Sequence, residues 1–370
     1  MTTDAAQRVA ERRPAYLAEL AQGTERFHEP RRTDCPWCGS ERLRARLRTT
    51  DLVQRKPGSF RLDRCGDCGH SFQNPRLTPD GQAFYRRDAP EGPAERRLSA
   101  ARTRSRAHAR ARALRAFDEP ECWLDVGTGD AHFPALARQV LPYTAFDGLD
   151  EGAGVLEGLR RGRVEEGHRG SLTELADSLA GRYDALSMFH GLPCGPDPRE
   201  ELRAARTVLR PGGHLMIEAP DPECRYAGLL GKWWASYGQP RHLHLVPLAN
   251  LRAELEELGF TVVGVERRAP HVPLDLSTAV ELLLDRGIPE PDVPWRAKPA
   301  SPLQLRLRRA ARGASVPLVA LARALDTLLQ PVLTRTGFSN TYRVIARRGA
   351  DTQGAQDTRA AAGQPRSASA

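Results

Sequence analysis

Lysine is almost absent from this 370-residue chain: of 55 basic residues only Lys56, Lys232 and Lys298 are lysines. The arginines are spread over the whole length, as a codon bias would leave them, rather than gathered into one patch. The formal charge of +9 therefore reads as a solvated surface and argues against a dedicated nucleic-acid face. Aromatic residues make up only 6%, and the interleaved rings on which single-stranded nucleic acid stacks are missing. No apolar run approaches the roughly 18 residues of a membrane span. Met1 to Tyr16 is charged and lacks the apolar core of a signal peptide, so the expectation is a cytoplasmic protein. The length is enough for one full α/β domain with smaller appendages.

Cysteine is scarce and unevenly placed. Cys122, Cys194 and Cys224 stand singly, and the other four form two C-x-x-C pairs, Cys35-Pro36-Trp37-Cys38-Gly39 and Cys65-Gly66-Asp67-Cys68-Gly69. In a reducing compartment this division means a metal site and free thiols, not a disulfide framework. Each pair with its trailing glycine makes a knuckle that aims two sulfurs at one point. Two knuckles supply four thiolates, the donor set of a closed, structural Zn²⁺ site with no open coordination position. The alternating stretches Leu43–Leu47 and Ser59–Leu62 fit short ribbon strands between the knuckles. His70 lies beside a complete four-thiolate set and is expected to be structural.

The densest signal is Trp123-Leu124-Asp125-Val126-Gly127-Thr128-Gly129-Asp130-Ala131-His132-Phe133. An apolar run ends at an acid, two glycines follow one residue apart, and a helical pattern begins. Such a strand–turn–helix lets backbone approach a nucleotide without Cβ interference. The third glycine of a G-x-G-x-x-G dinucleotide fingerprint is missing, which counts against a nicotinamide dehydrogenase. From Cys122 onward strands and helices alternate, the pattern of a doubly wound parallel sheet. Strands are expected at Cys122–Val126, Tyr143–Leu149, near Val164, at Tyr183–Phe189, His214–Ala219, Thr261–Arg267 and Thr341–Arg347. Helices are expected around Val155–Arg161, Leu172–Leu179, Glu200–Leu209 and Asn250–Leu258. Residues 86–119, rich in arginine, read as an exposed helix with a solvated face.

The acid before Gly127-x-Gly129, the run Leu209-Arg210-Pro211-Gly212-Gly213-His214-Leu215-Met216-Ile217-Glu218-Ala219-Pro220 and the Leu258-Gly259-Phe260 turn together resemble class I S-adenosylmethionine (SAM) methyltransferases. Cys65 to Leu77 is similar to the zinc-ribbon leader of bacterial members that modify sugars, glycans and secondary metabolites. The resemblance covers about residues 120–270 and the final strand, and implies a Rossmann-like seven-stranded α/β sheet preceded by a zinc ribbon. It implies SAM as cofactor, with Asp125, Gly127, Thr128 and Gly129 on its methionine half. The acid ending the second strand, Asp150 or failing that Asp147, would accept both ribose hydroxyls, since a carboxylate offers acceptors and no donor. Ser171 occupies the position facing adenine where an acid is usual, and Phe189 and His190 would flank the methyl group. Methyl transfer needs alignment, dryness and at most one base. Histidine is best tuned for that base, and the candidates are His190, His242 and His244. The last two, spaced two apart in an extended segment, are expected to point the same way. Leu192-Pro193-Cys194 replaces the usual Leu-Glu-His after the fourth strand, and Ala131 replaces a usual glycine.

The implied organisation is an N-terminal segment at 1–30, the ribbon at 31–80, an arginine-rich helical linker at 81–119 and the methyltransferase domain at 120–348. Within the last, 269–339 is a helical insertion before the final strand, and 349–370 is a disordered tail. The basic amphipathic pattern of 303–333 fits either a cap on the domain or peripheral contact with an anionic membrane. The reading is a methyltransferase acting on a hydroxyl or carbon of a small molecule, sugar or glycan precursor. An RNA methyltransferase using the ribbon as a grip, and a catalytically silent SAM-binding scaffold, stand as alternatives.

Overall fold

The computed structural model describes residues 3–88 and 99–350. Arg96 and Arg97 of the linker and residues 351–370 of the tail lie outside them. After a first helix α1 (Thr3–Ala21), which buries Tyr16, strands β1 (Leu43–Thr49), β2 (Phe60–Cys65) and β3 (Ser71–Gln73) form an antiparallel ribbon behind the two cysteine knuckles. Helix α2 (Pro79–Arg86) follows, capped by Thr78, whose side chain accepts from Gly81 N.

Helix α3 (Ala100–Arg115) overturns the expectation of a solvated face. Ala107, Arg110, Ala111 and Leu114 are buried, packed with Trp123, Phe133, Phe146 and Met216 on one side of the main sheet. The local sequence concealed this because the inward face offers only one large apolar side chain, Leu114, among alanines and an arginine whose partner lies on a distant strand.

Next come β4 (Cys122–Val126), α4 (His132–Ala137), β5 (Ala145–Asp150), α5 (Gly154–Arg160), β6 (Gly167–Arg169), α6 (Leu172–Leu175), β7 (Tyr183–Phe189), α7 (Pro198–Val208) and β8 (Leu209–Pro220). They are followed by α8 (Arg225–Leu229), β9 (His244–Leu245), α9 (Leu248–Glu257), β10 (Phe260–Glu266), α10 (Asp275–Gly287), α11 (Pro302–Leu333) and β11 (Thr341–Arg348). The third strand of the sheet lies a few residues beyond Val164, which is buried in the turn before it. The Pro-Gly-Gly turn at 211–213 sits inside β8 as an irregularity in its pairing with β7, not ahead of the strand.

The seven-stranded sheet has the order β10-β11-β8-β7-β4-β5-β6. Only β11 runs against its neighbours. From β4 the chain winds outward through β5 and β6, then returns to β7 on the other side of β4. This reversal opens a crevice at the carboxyl ends of β4 and β7, where open α/β sheets bind ligands.

The second sheet is β1-β2-β3-β9. Its last strand belongs to the segment between β8 and α9, so the ribbon is sewn to the larger domain by Ser71↔Leu245 and Phe72↔His244. Cys35, Trp37, Cys65 and Phe72 share one continuous core with residues of the main sheet.

One helix departs from the expectation on apolar runs. Arginines and small residues interrupt α11, yet an 18-residue window of it reaches a mean hydropathy of 1.4 with only 11% of the window buried.

Candidate active site

The glycine loop starts where β4 ends. Gly127 and Gly129 take φ of +74° and +58°, a left-handed backbone that glycine enters without Cβ strain. A Cβ added at Gly127 would meet nothing within 4 Å, so the loop presents bare backbone to open space. Ala131, where a glycine is usual, holds φ +58° as well and stays fully buried. Gly127 N and Thr128 N both donate to Leu149 O, tying the loop to the end of β5.

Three side chains converge on the loop. Asp125 is buried, and Ser187 Oγ donates to its Oδ1 at 2.6 Å, while Trp123 Nε1 donates to Ser187 Oγ at 2.9 Å. This relay fixes the carboxylate beneath the loop. Asp150 ends β5 half-exposed: its Oδ2 accepts from Gly129 N at 2.9 Å and its Oδ1 from Gly152 N at 2.7 Å. A carboxylate has about four acceptor positions, so one on each oxygen is left for a diol. Thr128 Oγ1 is buried without a hydrogen-bond partner, an orphan of the kind that a ligand satisfies.

Asp147, the fallback for the ribose, lies elsewhere. It is buried, with Oδ1 accepting from Glu166 N at 2.9 Å and Oδ2 from Tyr183 Oη at 2.7 Å, and three positions from Asp150 it faces the opposite side of the strand. Ser171 is engaged in a capping box at the start of α6: its side chain accepts from Glu174 N, and its own N–H donates to Glu174 Oε2. It sits just beyond β6, at the edge of the crevice.

At the end of β7, Phe189 packs edge-on to Phe133 with centroids 4.8 Å apart, and the Arg110 guanidinium lies 4.0 Å over its ring. Sequence reasoning missed what holds this corner. Glu218 on β8 is fully buried and accepts from Arg110 and Arg106 on one oxygen and from Arg343 on the other. Burial pushes its carboxyl up, but Arg110, Arg343 and Arg106 outweigh burial and hold it well below the usual carboxylate range. His190 follows at φ +61°, a strained position for a histidine, with its N–H donating to Glu218 O at 2.8 Å.

The three histidines do not share a role. His242 Nδ1 lies 3.0 Å from Ser236 O, so Nδ1 carries a proton and Nε2 is the nitrogen left to take up or release a second one. Cys194 approaches it: burial raises the thiol, but the hydrogen bond and charge of His242 outweigh burial, and the net shift is downward. Cys194 Sγ also reaches His190 O at 3.7 Å. His190, Cys194 and His242 thus meet at the carboxyl end of β7.

His244 is corrected out of this group. It is buried in β9, its Nε2 donates to Pro196 O at 3.1 Å, and its Nδ1 accepts from His70 Nε2 at 3.1 Å. Burial pushes it down to about 4 and pushes His70 well below its ordinary value, so both rings are neutral and structural. The expectation that His242 and His244 point the same way fails because the extended geometry begins only at His244. His242 still belongs to the turn at Gly238, whose backbone it closes on.

Two further residues close the crevice from outside and carried no local motif. Arg86 of α2 pairs with Glu151 and donates to Cys194 O at 3.4 Å. Glu201 of α7 lies against Gly195, and burial, reinforced by Glu151, raises it to about 7 against the opposing pull of Arg86.

The four sulfurs of Cys35, Cys38, Cys65 and Cys68 lie within 4.8 Å of one another, with the Cys35–Cys68 and Cys38–Cys65 pairs at 3.7 and 3.6 Å. Four thiolates about 2.3 Å from a tetrahedral Zn²⁺ would stand roughly 3.8 Å apart, so the donor set fits that ion. Trp37 N donates to Cys35 Sγ and Asp67 N to Cys65 Sγ, both at 3.4 Å, as knuckle backbones do toward thiolates.

A family model described as "Methyltransferase domain" matches residues 96–265. Among curated proteins, the ubiquinone biosynthesis O-methyltransferase of Sodalis glossinidius is 29% identical over 140 residues, 36% of this chain and 55% of that protein. The protein of the same name from Bordetella avium is 26% identical over 151 residues, 38% of this chain and 63% of the relative. The chain thus spans little more than half the length of the relatives it matches. Among solved structures, a SAM-dependent methyltransferase from Archaeoglobus fulgidus shares 18% identity over 66% of this chain and 94% of that one, with a TM-score of 0.42. Strand order, glycine loop and family match agree: residues 96–265 of this chain are a class I, SAM-dependent methyltransferase domain.

Proposed function

We propose that the protein transfers a methyl group from SAM to a hydroxyl or carbon of a small molecule, a sugar or glycan precursor being the acceptor class suggested by the ribbon's resemblance. A hydroxyl is favoured because the curated relatives are named as O-methyltransferases. The observation that carries the reading is the set of groups at the crevice: bare backbone at Gly127, the orphaned Thr128 hydroxyl, and Asp125 and Asp150 held by Ser187 and Gly129.

When bound, SAM supplies an electrophilic methyl on a sulfonium sulfur. The chain's own task is to hold that methyl in line with the acceptor and keep water out. Asp150 takes the ribose hydroxyls on its remaining lone pairs, and Asp125 with the Gly127–Gly129 backbone holds the amino-acid end. Phe189 and His190 border the reacting groups. His242, with Nδ1 committed to Ser236 O, offers Nε2 to an acceptor proton, and Cys194 sits within its reach. The four cysteines hold Zn²⁺ in a closed site that organises the ribbon and takes no part in transfer.

Calorimetric titration with SAM and S-adenosylhomocysteine tests the reading. Binding of both is expected, with a fall of about 100-fold in Asp150→Ala, the loss of two charge-assisted hydrogen bonds. No affinity of the folded wild type for either nucleoside overturns it. Binding with no turnover across a panel of hydroxylated acceptors points to a silent scaffold instead.

A further inference from the structure

Helix α11 leaves a row of large aliphatic side chains on its outer face. Its inward stripe, packed on α10, mixes Leu305, Val319, Ala322 and Leu333 with Arg308, Ser315, Asp326 and Gln330, while its outward face beyond the arginines of the first turns is aliphatic. Arg308 pairs with Asp285, and Asp326 accepts from the backbone N–H of Leu276 and Ser277 at the start of α10. Arg308 and Asp326 thus fasten the helix down. Outside stand Leu303, Leu321 and Leu328 at 65%, 57% and 74% exposure, with Leu307, Leu318, Leu325 and Val332 also open. At about 1.5 Å per residue, 32 residues make an apolar ridge on the order of 48 Å long. A soluble monomer rarely leaves such a strip uncovered.

We propose that this face lies on an anionic membrane surface, independently of whether the methyl-transfer reading holds. Charge selects the occupant. The only acid on α11 is Asp326, which is buried, whereas Arg306 and Arg309 are exposed beside the leucines at its amino-terminal end. A second copy of the helix would bring no carboxylate to those arginines, whereas acidic lipid headgroups would meet them while acyl chains take the leucines.

The composition is aliphatic, without the Tyr and Trp anchors that mark protein-binding patches. Lying flat, not crossing, is fixed by the topology. Both ends of the 269–339 insertion return to neighbouring strands β10 and β11 of one sheet, and α10 with 13 residues is too short to cross back. A span would also strip the Arg308–Asp285 and Asp326 contacts in hydrocarbon.

Flotation of the full chain with vesicles tests this, using phosphatidylcholine alone and phosphatidylcholine mixed with phosphatidylglycerol. Retention on the mixed vesicles, weakening with salt, is expected. A fall of about tenfold or more is expected in Leu321→Gln/Leu328→Gln, and a comparable fall in Arg306→Glu/Arg309→Glu. Unchanged circular dichroism melts keep misfolding apart from lost binding. Three outcomes overturn the proposal: no retention of the wild type on anionic vesicles at low salt, equal retention on neutral ones, or a dimer by light scattering that the leucine variants dissociate while vesicle binding is nil.

Discussion

At the scale of single residues, the crevice is controlled by which carboxylates are paired and which are not. Glu218 is buried among three arginines and stays charged, a rigid floor under Phe189 and His190. Glu201 is the opposite case. Arg86 is shared with Glu151, Asp197 and Glu200 add negative charge, and burial leaves the carboxyl near 7. Because the folded value is raised above the ordinary 4.5, the folded protein keeps a proton that the unfolded chain has lost between those values. The stabilising contribution is complete below pH 4.5 and disappears as pH rises through 7. Glu201→Gln cannot titrate. Its stability profile is expected to be flatter from pH 4.5 to 7, and at pH 8 it should exceed the wild type by about 2 kcal/mol. Chemical denaturation at pH 5 and pH 8 checks this, and an equal gap at both values refutes the assignment. Such a residue was not legible beforehand, since nothing near Glu201 in sequence announces Glu151 or Arg86 across the crevice.

At the scale of elements, what could be read was what repeats locally. The glycine turn after Cys122–Val126, the acid closing β5 and the order of alternating strands and helices are written in short periodicities, and the structure holds them within a few residues. What could not be read depends on pairing between distant segments. Strand β9 is two residues long, too short for a pattern, and exists because β3 offers an edge. That pairing pulls His244 into the ribbon and leaves His242 in the turn beside Cys194, splitting two histidines that look equivalent in sequence. Substitution should split them as well. His242→Ala is expected to lower kcat by about 100-fold or more with SAM affinity retained, as loss of a general base does. His244→Ala strands His70 Nε2–H and Pro196 O, and should cost about 2–4 kcal/mol of stability. Transfer kinetics and thermal melts on the two variants decide it: a kinetic defect confined to His244→Ala would reverse the roles.

At the scale of the whole molecule, the four-cysteine ribbon is not an appendage. Its knuckle residues Cys35, Trp37 and Cys65 lie in the same core as β7 and β8, and β9 carries its sheet into the segment that bears His242. From the other side, α2 sends Arg86 to Glu151 and to the Cys194 carbonyl. Losing the metal should therefore be felt at the crevice. A bound ion that the unfolded chain holds only weakly contributes its binding energy to folding. Stripping Zn²⁺ with a strong chelator, or Cys65→Ser, is expected to lower the melting temperature by on the order of 10 °C, several kcal/mol for a chain of this size. Because ribbon and sheet share one core, the loss should appear as a single shifted transition, with transfer activity falling in step. Calorimetric melts with metal analysis on the same samples give the answer. An independent low-temperature transition, with the main one and the activity untouched, would show the ribbon to be a separate unit.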